Sequence, residues 1–168
     1  ALFGMLQTDA PITEGSSGGA LVDGAGRLIG ITTAIGVGSA GAEGIGFAVP
    51  VELMRRITDE IIATGEVRHA YLGIELRNEL TEREDGALVP AGAVISAFSS
   101  DARSVAEEAG MERGDVIVAL NGQAITTREA LISDLRMLAA GDVATVEAIR
   151  DGELLVFEIE LARRPPVP

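Results

Sequence analysis

The sequence predicts a mainly β protein with a few helices, arranged as two small segments. Short aliphatic and β-branched stretches alternate with turns rich in Gly and Asp, as in "ALVDGAGRLIGITTAIG". Other stretches, such as "VELMRRITDEIIATG", place apolar residues at helical spacing and end in Gly. The polar stretch "GEVRHAY" is a candidate hinge between two segments of the chain, and these segments share no repeated sequence pattern. Together these observations predict two packed segments of different architecture.

Composition restricts the classes of function. Of the 168 residues, 47% are apolar and 23% are charged, which is typical of globular protein. The net charge of −13 leaves no basic patch to meet phosphates, so the composition argues against a nucleic-acid partner. The absence of Cys excludes disulfides and thiolate chemistry. No apolar run reaches the roughly 18 residues that span a bilayer.

The first segment, residues 1–66, is predicted to contain three strands and a helix. Strands are expected at 20–22, at 28–34 around the turn "DGAG", and at "IGFAV", which ends at Pro50. The helix is expected over about 51–64 because Pro is well tolerated at a first helical turn. The segment has no second sheet to pack against and no initiator Met. We therefore expect it to be the end of a larger domain whose chain begins upstream.

The second segment, residues 71–162, follows a hinge at 67–70 and precedes a frayed tail at 163–168. It is predicted to hold about five strands and two helices with short loops, which favours a partly open barrel capped by the helices. The first of these helices, in "DARSVAEEAG", is expected to begin at an Asp101 N-cap. The turns "NG" and "DG" predict hairpins.

The stretch "EGSSGGAL" is the first candidate for chemistry. A Gly/Ser cluster is most often a turn or a tether. It can also form an active-site turn, since glycines let backbone N–H groups converge on an oxyanion while a serine hydroxyl attacks a carbonyl. Spacing alone leaves both interpretations open, with Ser17 as the candidate nucleophile.

The longer run "LQTDAPITEGSSGGALVDGAGRLIGITTAIG", continued by "EGIGFAVPVELMRRI", resembles the serine region of HtrA/DegP-type trypsin-fold proteases. The resemblance implies that this segment is the C-terminal portion of a trypsin-like β-barrel. It also implies that Ser17 is the nucleophile and that the N–H groups of Gly15 and Ser17 form the oxyanion hole. The residues implied to lie along the substrate strand and the specificity pocket are Thr33, Ala34, Gly46, Phe47 and Ala48.

Two motif positions and the catalytic triad depart from the family pattern. Ser16 replaces the usual Asn, and Ala20 replaces the usual Pro. Trypsin-fold enzymes order the triad His, Asp, Ser, yet the sole histidine, His69, follows Ser17. We expect the base and the orienting Asp to lie upstream, so that the chain alone is inactive. A convergent triad with His69 is the alternative to a partly exposed hinge residue.

The second segment resembles the PDZ domain of the same protease family, through "YLGIEL" and "AGMERGDVIVALNG". An edge strand beside a helix leaves a groove to which an extended peptide can add as a strand. The backbone N–H groups of "YLGI" would hold a C-terminal carboxylate. Candidate groove residues are Tyr71, Leu72, Gly73, Ile74, Leu131, Leu135 and Leu138. The alternative for the leucines is an ordinary place in the core.

The resemblance implies a serine endopeptidase that cleaves unfolded or misfolded polypeptides and binds peptide C-termini through its PDZ domain. The alternative is a non-catalytic peptide-binding module with a vestigial protease segment. Polypeptides are the expected partners, and homo-oligomers are expected for the intact enzyme. The family implies a location in the periplasm or at the extracytoplasmic side of the cell membrane. No cofactor or metal is expected, since the acidic run 82–86 has no His or convergent carboxylate beside it.

Overall fold

The computed structural model describes residues 4–35, 45–82, 88–100 and 102–165. The chain divides into two compact units, Ala1–Val67 and Arg68–Pro168. None of the helices in the described ranges combines the length and apolar character needed to cross a bilayer. Apart from Glu82, the acidic run 82–86 lies outside the described residues.

The first unit is built on one antiparallel sheet. Its elements are β1 (Leu6–Thr8), β2 (Ala20–Val22), β3 (Leu28–Ile35), β4 (Gly46–Pro50) and helix α1 (Val51–Thr64). In the described residues the strand order is β1-β4-β3-β2. Strand β1 was not predicted, because three residues are too few to show an alternating pattern. It pairs with β4 at the edge of the sheet. The chain runs from β1 into the turn that contains Ser16 and Ser17, which is called the serine turn.

The β2–β3 hairpin is held by Asp23 at its turn. The Asp23 carboxylate accepts hydrogen bonds from the N–H of Ala25 at 2.9 Å and of Arg27 at 3.0 Å, and from Arg27 Nε at 2.7 Å. The backbone and side-chain hydrogen bonds from Arg27 hold the pKa of Asp23 below its ordinary value. The hairpin is thereby anchored just after the serine turn.

Helix α1 begins directly after Pro50, which is its N-cap at φ −56°. It ends at Gly65, whose N–H donates to Ile61 O at 2.8 Å from a left-handed conformation. The Leu53 side chain is buried, whereas Ile62 remains 78% exposed. The helix packs against β3 and β4. Its buried and half-buried residues lie between Val51 and Glu60, and its last turn is exposed.

The second unit contains eight strands and two helices in its described residues. They are β5 (Ala70–Tyr71), β6 (Ile74–Glu82), β7 (Leu88–Phe98), α2 (Val105–Glu108), β8 (Val116–Leu120), β9 (Gln123–Ala124), α3 (Arg128–Leu135), β10 (Val143–Arg150), β11 (Glu153–Glu160) and β12 (Ala162–Arg163). The main sheet runs β11-β10-β8-β7-β6, with β9 beside β8, and β12 pairs with β5. Strand β6 is consequently an edge strand.

The core of this unit lies between its sheet and its helices. Alternating residues of β7, β8 and β10 face it, and Leu131 of α3 is completely buried. The buried cluster consists of Leu72, Ala93, Ile95, Val105, Ala106, Met111, Ile117, Leu120, Ile125, Leu131, Ala144, Val146, Ala148, Ile159 and Leu161. Helix α2 is capped by Ser104, whose Oγ accepts from Glu107 N–H at 3.3 Å. The predicted cap at Asp101 was therefore wrong.

The predicted "NG" and "DG" turns are confirmed. Asn121 and Asp151 adopt positive φ values of 49° and 51°, each followed by a glycine that also has positive φ. These turns join β8 to β9 and β10 to β11. Two positive φ values in a row match the twist of the flanking strands.

A buried ion pair lies beside the core. Asp115 is 1% exposed, and the Arg150 guanidinium donates to both of its carboxylate oxygens, at 2.7 and 2.8 Å. The Glu112 N–H donates to the same carboxylate at 2.9 Å. Burial would raise the pKa of Asp115, but the hydrogen bonds from Arg150 and Glu112 outweigh it and hold the pKa below its ordinary value.

Candidate active site and peptide-binding groove

Ser17 lies in a tight turn between β1 and β2, and its residue is exposed. The turn is closed by backbone hydrogen bonds from Ser16 N–H to Thr13 O at 3.0 Å and from Gly19 N–H to Ser16 O at 3.0 Å. The Ser16 hydroxyl lies on the inner side of the turn and accepts from Thr13 N–H at 3.2 Å. The two serines therefore have different surroundings: Ser16 is half-buried and bonded within the turn, whereas Ser17 is exposed.

Strand β3 fixes this turn through Thr32, which is 7% exposed. The Thr32 hydroxyl donates a hydrogen bond to Ser16 O and lies 3.2 Å from Gly19 O. The Thr32 N–H donates to Gly19 O at 2.9 Å, and Gly18 N–H donates to Thr32 O at 2.8 Å. A Cβ at Gly19 would lie 2.9 Å from Ser16 O, so this close packing requires glycine there.

The N–H groups of Gly15 and Ser17 carry no hydrogen bond to any other described residue. A planar trans peptide points its C=O and its N–H in opposite directions, so fixing Ser16 O against Thr32 directs Ser17 N–H away from β3. Gly15 has φ +90°, a conformation in which a side chain is strained. Two unpaired donors two residues apart can stabilise a developing oxyanion.

The Ser17 hydroxyl lies 3.4 Å from Thr33 O. Thr33 is the extra residue of a β-bulge between Thr32 and Ala34, a distortion that turns its carbonyl away from the ladder. Among the described residues the Ser17 hydroxyl bonds to this carbonyl and to no carboxylate or imidazole. The described part of the turn supplies a hydroxyl and oxyanion donors but no base.

The predicted pocket residues are distributed over β3 and β4. Thr33 is exposed beside Ser17, Phe47 is half-buried, and Ala48 is completely buried, so Ala48 acts as a packing residue. A Cβ at Gly46 would lie 2.4 Å from Ile12 Cδ1, so Ile12 already fills that side. The side chain of Ala34 lies outside the described residues. An open cavity of about 380 Å³ is lined instead by Gln7, Thr8, Asp9 and Ile45, which were not predicted.

His69 belongs to the second unit. Its backbone forms a bridge with Ala139, and its carbonyl accepts from Arg164 N–H at 2.9 Å. The residue is exposed. Its backbone therefore helps to tie the C-terminal strand region to the start of this unit. A group of three or more His, Asp or Glu side chains that could hold a metal ion is absent from the described part of the chain.

The loop before β6 has the form of an anion-binding turn. Gly73 has φ +77°, and a Cβ there would lie 2.4 Å from Ser104 Cα. The carbonyls of Leu72 and Gly73 accept from Ala106 N–H at 3.1 Å and Ser99 N–H at 2.9 Å. The N–H groups of Leu72 and Gly73, both in buried residues, have no partner among the described residues. Buried N–H groups without a partner are costly, so this loop is suited to an external acceptor.

Burial divides the predicted groove residues into two sets. Leu72 is 2% exposed and Leu131 is 0% exposed, so their side chains belong to the core and cannot line an open pocket as predicted. Tyr71, Ile74, Leu135 and Leu138 are half-buried. The open surface therefore comes from these four side chains, while Leu72 can contribute through its backbone.

Three residues with defined roles were missed. Thr32 gives no sequence signal of its own, because a Thr within a strand is ordinary. Ser104 is a typical N-cap four residues after a Ser-rich stretch, but Asp101 competed for the same role. Asn78 did give a signal: it is the polar member of the alternating set Ile74, Leu76, Asn78 on the inward face of β6.

Each of the two units matches the model of a known protein family. The PDZ domain family model matches residues 70–161, more than half of the chain. The chain belongs to the PDZ domain family. The Trypsin family model matches residues 3–57. These matches confirm the predicted class, mainly β with trypsin-like and PDZ parts, although a closed barrel does not occur in the described residues.

The relatives are HtrA/DegP proteases, which confirms the resemblance. The periplasmic serine endoprotease DegP of Escherichia coli K12 is 38% identical over 161 residues, 93% of this chain and 33% of its own. The probable periplasmic serine endoprotease DegP-like of Chlamydia muridarum is 35% identical over 162 residues, 95% of this chain and 32% of its own. This chain thus spans about a third of the length of these relatives.

Solved structures give the same family. The HtrA-type protease AlgW with a tripeptide is 35% identical, with a TM-score of 0.69 over 97% of this chain and 54% of its own. The same protease with a decapeptide has a TM-score of 0.66 over 97% of this chain and 50% of its own. The serine endoprotease from Yersinia pestis is 30% identical, with a TM-score of 0.58 over 96% of this chain and 52% of its own.

Proposed function

We propose that this chain is part of an HtrA/DegP-like serine endopeptidase, with Ser17 as nucleophile and a PDZ domain that binds polypeptide C-termini. Residues 1–66 form its protease part and 71–162 its PDZ domain, joined by the hinge 67–70. The observation that carries the proposal is the serine turn, in which buried Thr32 fixes Ser16 O, the Ser17 residue is exposed, and the N–H groups of Gly15 and Ser17 have no partner among the described residues.

The chemical role of each group in the turn follows from its position. The Ser17 hydroxyl attacks the peptide carbonyl, and the N–H groups of Gly15 and Ser17 stabilise the resulting oxyanion. A base must remove the hydroxyl proton, and the described residues place none beside it. We propose that the His and Asp of the triad lie elsewhere in the intact protein. The chain alone is then inactive.

The proposed binding of peptide C-termini in the groove rests on the loop at Leu72–Ile74. Its unpaired N–H groups suit a terminal carboxylate, and the free edge of β6 can accept an added strand. The half-buried side chains of Ile74, Leu135 and Leu138 supply an apolar lining.

Unfolded or misfolded polypeptides are the proposed substrates, because extended chains offer both a scissile bond for the serine turn and a free terminus for the groove. The names of the relatives support a periplasmic location. We further propose that the intact enzyme is a homo-oligomer at or near the outer side of the membrane.

The protease assignment is tested by expressing the complete reading frame that contains this sequence and measuring cleavage of unfolded casein. Wild type is expected to cleave, and Ser17→Ala is expected to lose at least about a thousandfold in rate. Ser16→Ala is the matched control and keeps most of the activity, because its hydroxyl faces the inside of the turn. Absence of cleavage by the wild type would favour a non-catalytic peptide-binding module.

The groove assignment is tested by calorimetry with the 168-residue chain. A peptide ending in a free apolar residue is expected to bind at least about tenfold more tightly than the same peptide with an amidated C-terminus, since charged hydrogen bonds to the loop are lost. Equal affinity for the two forms would contradict the carboxylate role of Leu72–Ile74.

A further inference from the structure

Strand β11 forms one edge of the main sheet, and its outer side is open. Among the described residues it pairs with β10 alone, and the register between the two strands runs from Glu153 to Glu160 without a bulge. Proteins usually protect a free edge with a bulge, a proline, a lysine or a very short strand. The eight residues "ELLVFEIE" contain no Pro and no Lys, and their only charged residues are glutamates. The backbone of β11 is therefore available to pair with another strand.

The outward face of the β10–β11 hairpin is partly apolar. Leu154 and Val156 of β11 are 58% and 60% exposed, and Ile149, which lies opposite Leu154 on β10, is 38% exposed. Strand side chains alternate, so Glu158 continues this face on β11, and Glu147 lies opposite Val156. These five residues are called the hairpin surface. Its three aliphatic side chains occupy adjacent positions and form a patch that burial by a partner would stabilise.

The charges on this face have one sign. Its outward positions carry Glu147, Glu158 and Glu160 and no basic residue. The charge of Glu160 interacts with Arg103. Glu158 accepts a hydrogen bond from the neutral Thr145 hydroxyl at 2.9 Å, and neither Glu147 nor Glu158 forms an ion pair with a described residue. The hairpin surface is therefore complementary to a partner that is both apolar and basic.

The same charges argue against other occupants. A second copy of this chain brings the same glutamates and a net charge of −13, and nucleic acid or an anionic lipid surface also brings negative charge. An extended polypeptide segment suits the edge, because its backbone pairs with β11 while every second side chain lies on the outward face. Apolar side chains beside Leu154 and Val156 and a basic side chain beside Glu158 complete the match.

We propose that the free edge of β11 binds an extended polypeptide segment that carries apolar and basic side chains, and that this segment adds to the main sheet as a further strand. The interaction goes beyond the proposed function, because it requires no terminal carboxylate. It also lies at the opposite end of the strand order from β6, the edge assigned to peptide C-termini. The PDZ domain thus has two edges for extended chains, and the edge at β11 selects by charge.

The test uses the 168-residue chain and an eight-residue peptide with an acetylated N-terminus and an amidated C-terminus. Threonine occupies every second position, and the others hold two arginines followed by two valines, the order that faces Glu160 to Leu154 in an antiparallel strand. Calorimetry measures the affinity, and hydrogen exchange followed by NMR locates the added strand. We expect saturation with the peptide to slow exchange of the open-edge amides of β11 at least about fivefold and to leave those of β6 unchanged. A peptide with glutamate in place of arginine is the control and is expected to bind at least about tenfold more weakly.

Charge reversal on the hairpin surface gives the second measurement. Glu158→Arg is expected to weaken binding of the arginine peptide at least about tenfold, since it replaces attraction by repulsion beside the added strand. Glu75→Arg is the matched control, because it makes the same change of net charge at an exposed position of β6, four strands away in the sheet. Its affinity is expected to stay within about twofold of wild type, since salt screens charges at that separation.

Equal binding of the arginine and glutamate peptides, equal loss of affinity in the two variants, or slowed exchange in β6 instead of β11 overturns the proposal. Failure of the arginine peptide to bind also overturns it. Sedimentation of the chain alone tests the remaining occupant, since dimers that protect the amides of β11 would assign this edge to a second copy and overturn the proposal as well. Because the peptide has no free carboxylate, these results leave the proposed binding of peptide C-termini to its own test.

Discussion

The hydroxyl of Thr32 donates a hydrogen bond to the carbonyl oxygen of Ser16, across the space between strand β3 and the serine turn. This contact fixes the peptide plane that joins Ser16 to Ser17, and so it sets the direction of the Ser17 N–H. An oxyanion donor that is already oriented needs no rearrangement when charge develops. Thr32 is therefore a positioning residue of the proposed active site.

Replacing Thr32 by Val removes this hydroxyl and keeps the shape of the side chain. In the complete reading frame, Thr32→Val is expected to lower kcat for a peptide substrate by about ten- to a hundredfold with little change in KM, because the oxyanion donors act mainly in the transition state. Thr32→Ser restores the hydroxyl and should recover most of kcat. A Thr32→Val enzyme with unchanged kcat would show that the Thr32 hydroxyl does not orient the oxyanion donors.

Gly73 tests the loop that is proposed to bind the carboxylate. An alanine there has φ +77° and meets backbone atoms, Ser104 Cα at 2.4 Å and Arg103 O at 2.7 Å, which cannot move aside easily. Gly73→Ala is expected to destabilise the second unit by about 3 kcal/mol or more and to abolish peptide binding.

Gly152→Ala is the matched control for Gly73→Ala. It has the similar φ of +83° but nothing within 4 Å of the added Cβ, so only the conformational cost of about 1 kcal/mol remains. Urea unfolding measures both variants. Equal destabilisation by the two substitutions would contradict the packing of the loop against Ser104.

The Asp115–Arg150 pair predicts part of the dependence of stability on pH. The pKa of Asp115 is lower in the folded state than its ordinary 3.8, so its charge stabilises the fold above that value. This contribution is lost as the pH falls through the lower, folded-state pKa. Asp115→Asn should cost about 3 kcal/mol near neutral pH, since it leaves the Arg150 guanidinium without its buried partner.

The difference in unfolding free energy between wild type and Asp115→Asn isolates this group from the other carboxylates. We expect the difference to shrink as the pH is lowered from about 7 to about 3, measured by urea denaturation. A difference that stays constant over this range would show that Asp115 does not titrate with folding.

The sequence predicted those elements whose causes are local. Pro50 and Gly65 bracket α1, and the turns at Asn121–Gly122 and Asp151–Gly152 follow from residues that tolerate positive φ. Ser17 was predicted as the nucleophile from the glycines around it together with the longer motif, and the structure places it in a tight turn. In each case the residues that determine the structure lie within a few positions of one another.

The parts that were missed depend on contacts between distant residues. Thr32 reaches Ser16 from 16 positions away, and Asn78 reaches Arg128 from 50 positions away. The burial of Leu131 depends on how α3 rotates against the sheet, which helical spacing alone leaves open. Strand β1 exists because β4 lies beside it, since three residues have little preference of their own.

The most direct measurement of the central claim is the site of covalent labelling by an alkyl fluorophosphonate, which reacts with activated serines. The complete reading frame containing this sequence is treated with the reagent, digested and mapped by mass spectrometry. The predicted result is a single label on Ser17, retained in Ser16→Ala and absent in Ser17→Ala. Labelling of another serine, or a wild-type protein that takes up no label, would contradict the assignment of Ser17 as the nucleophile.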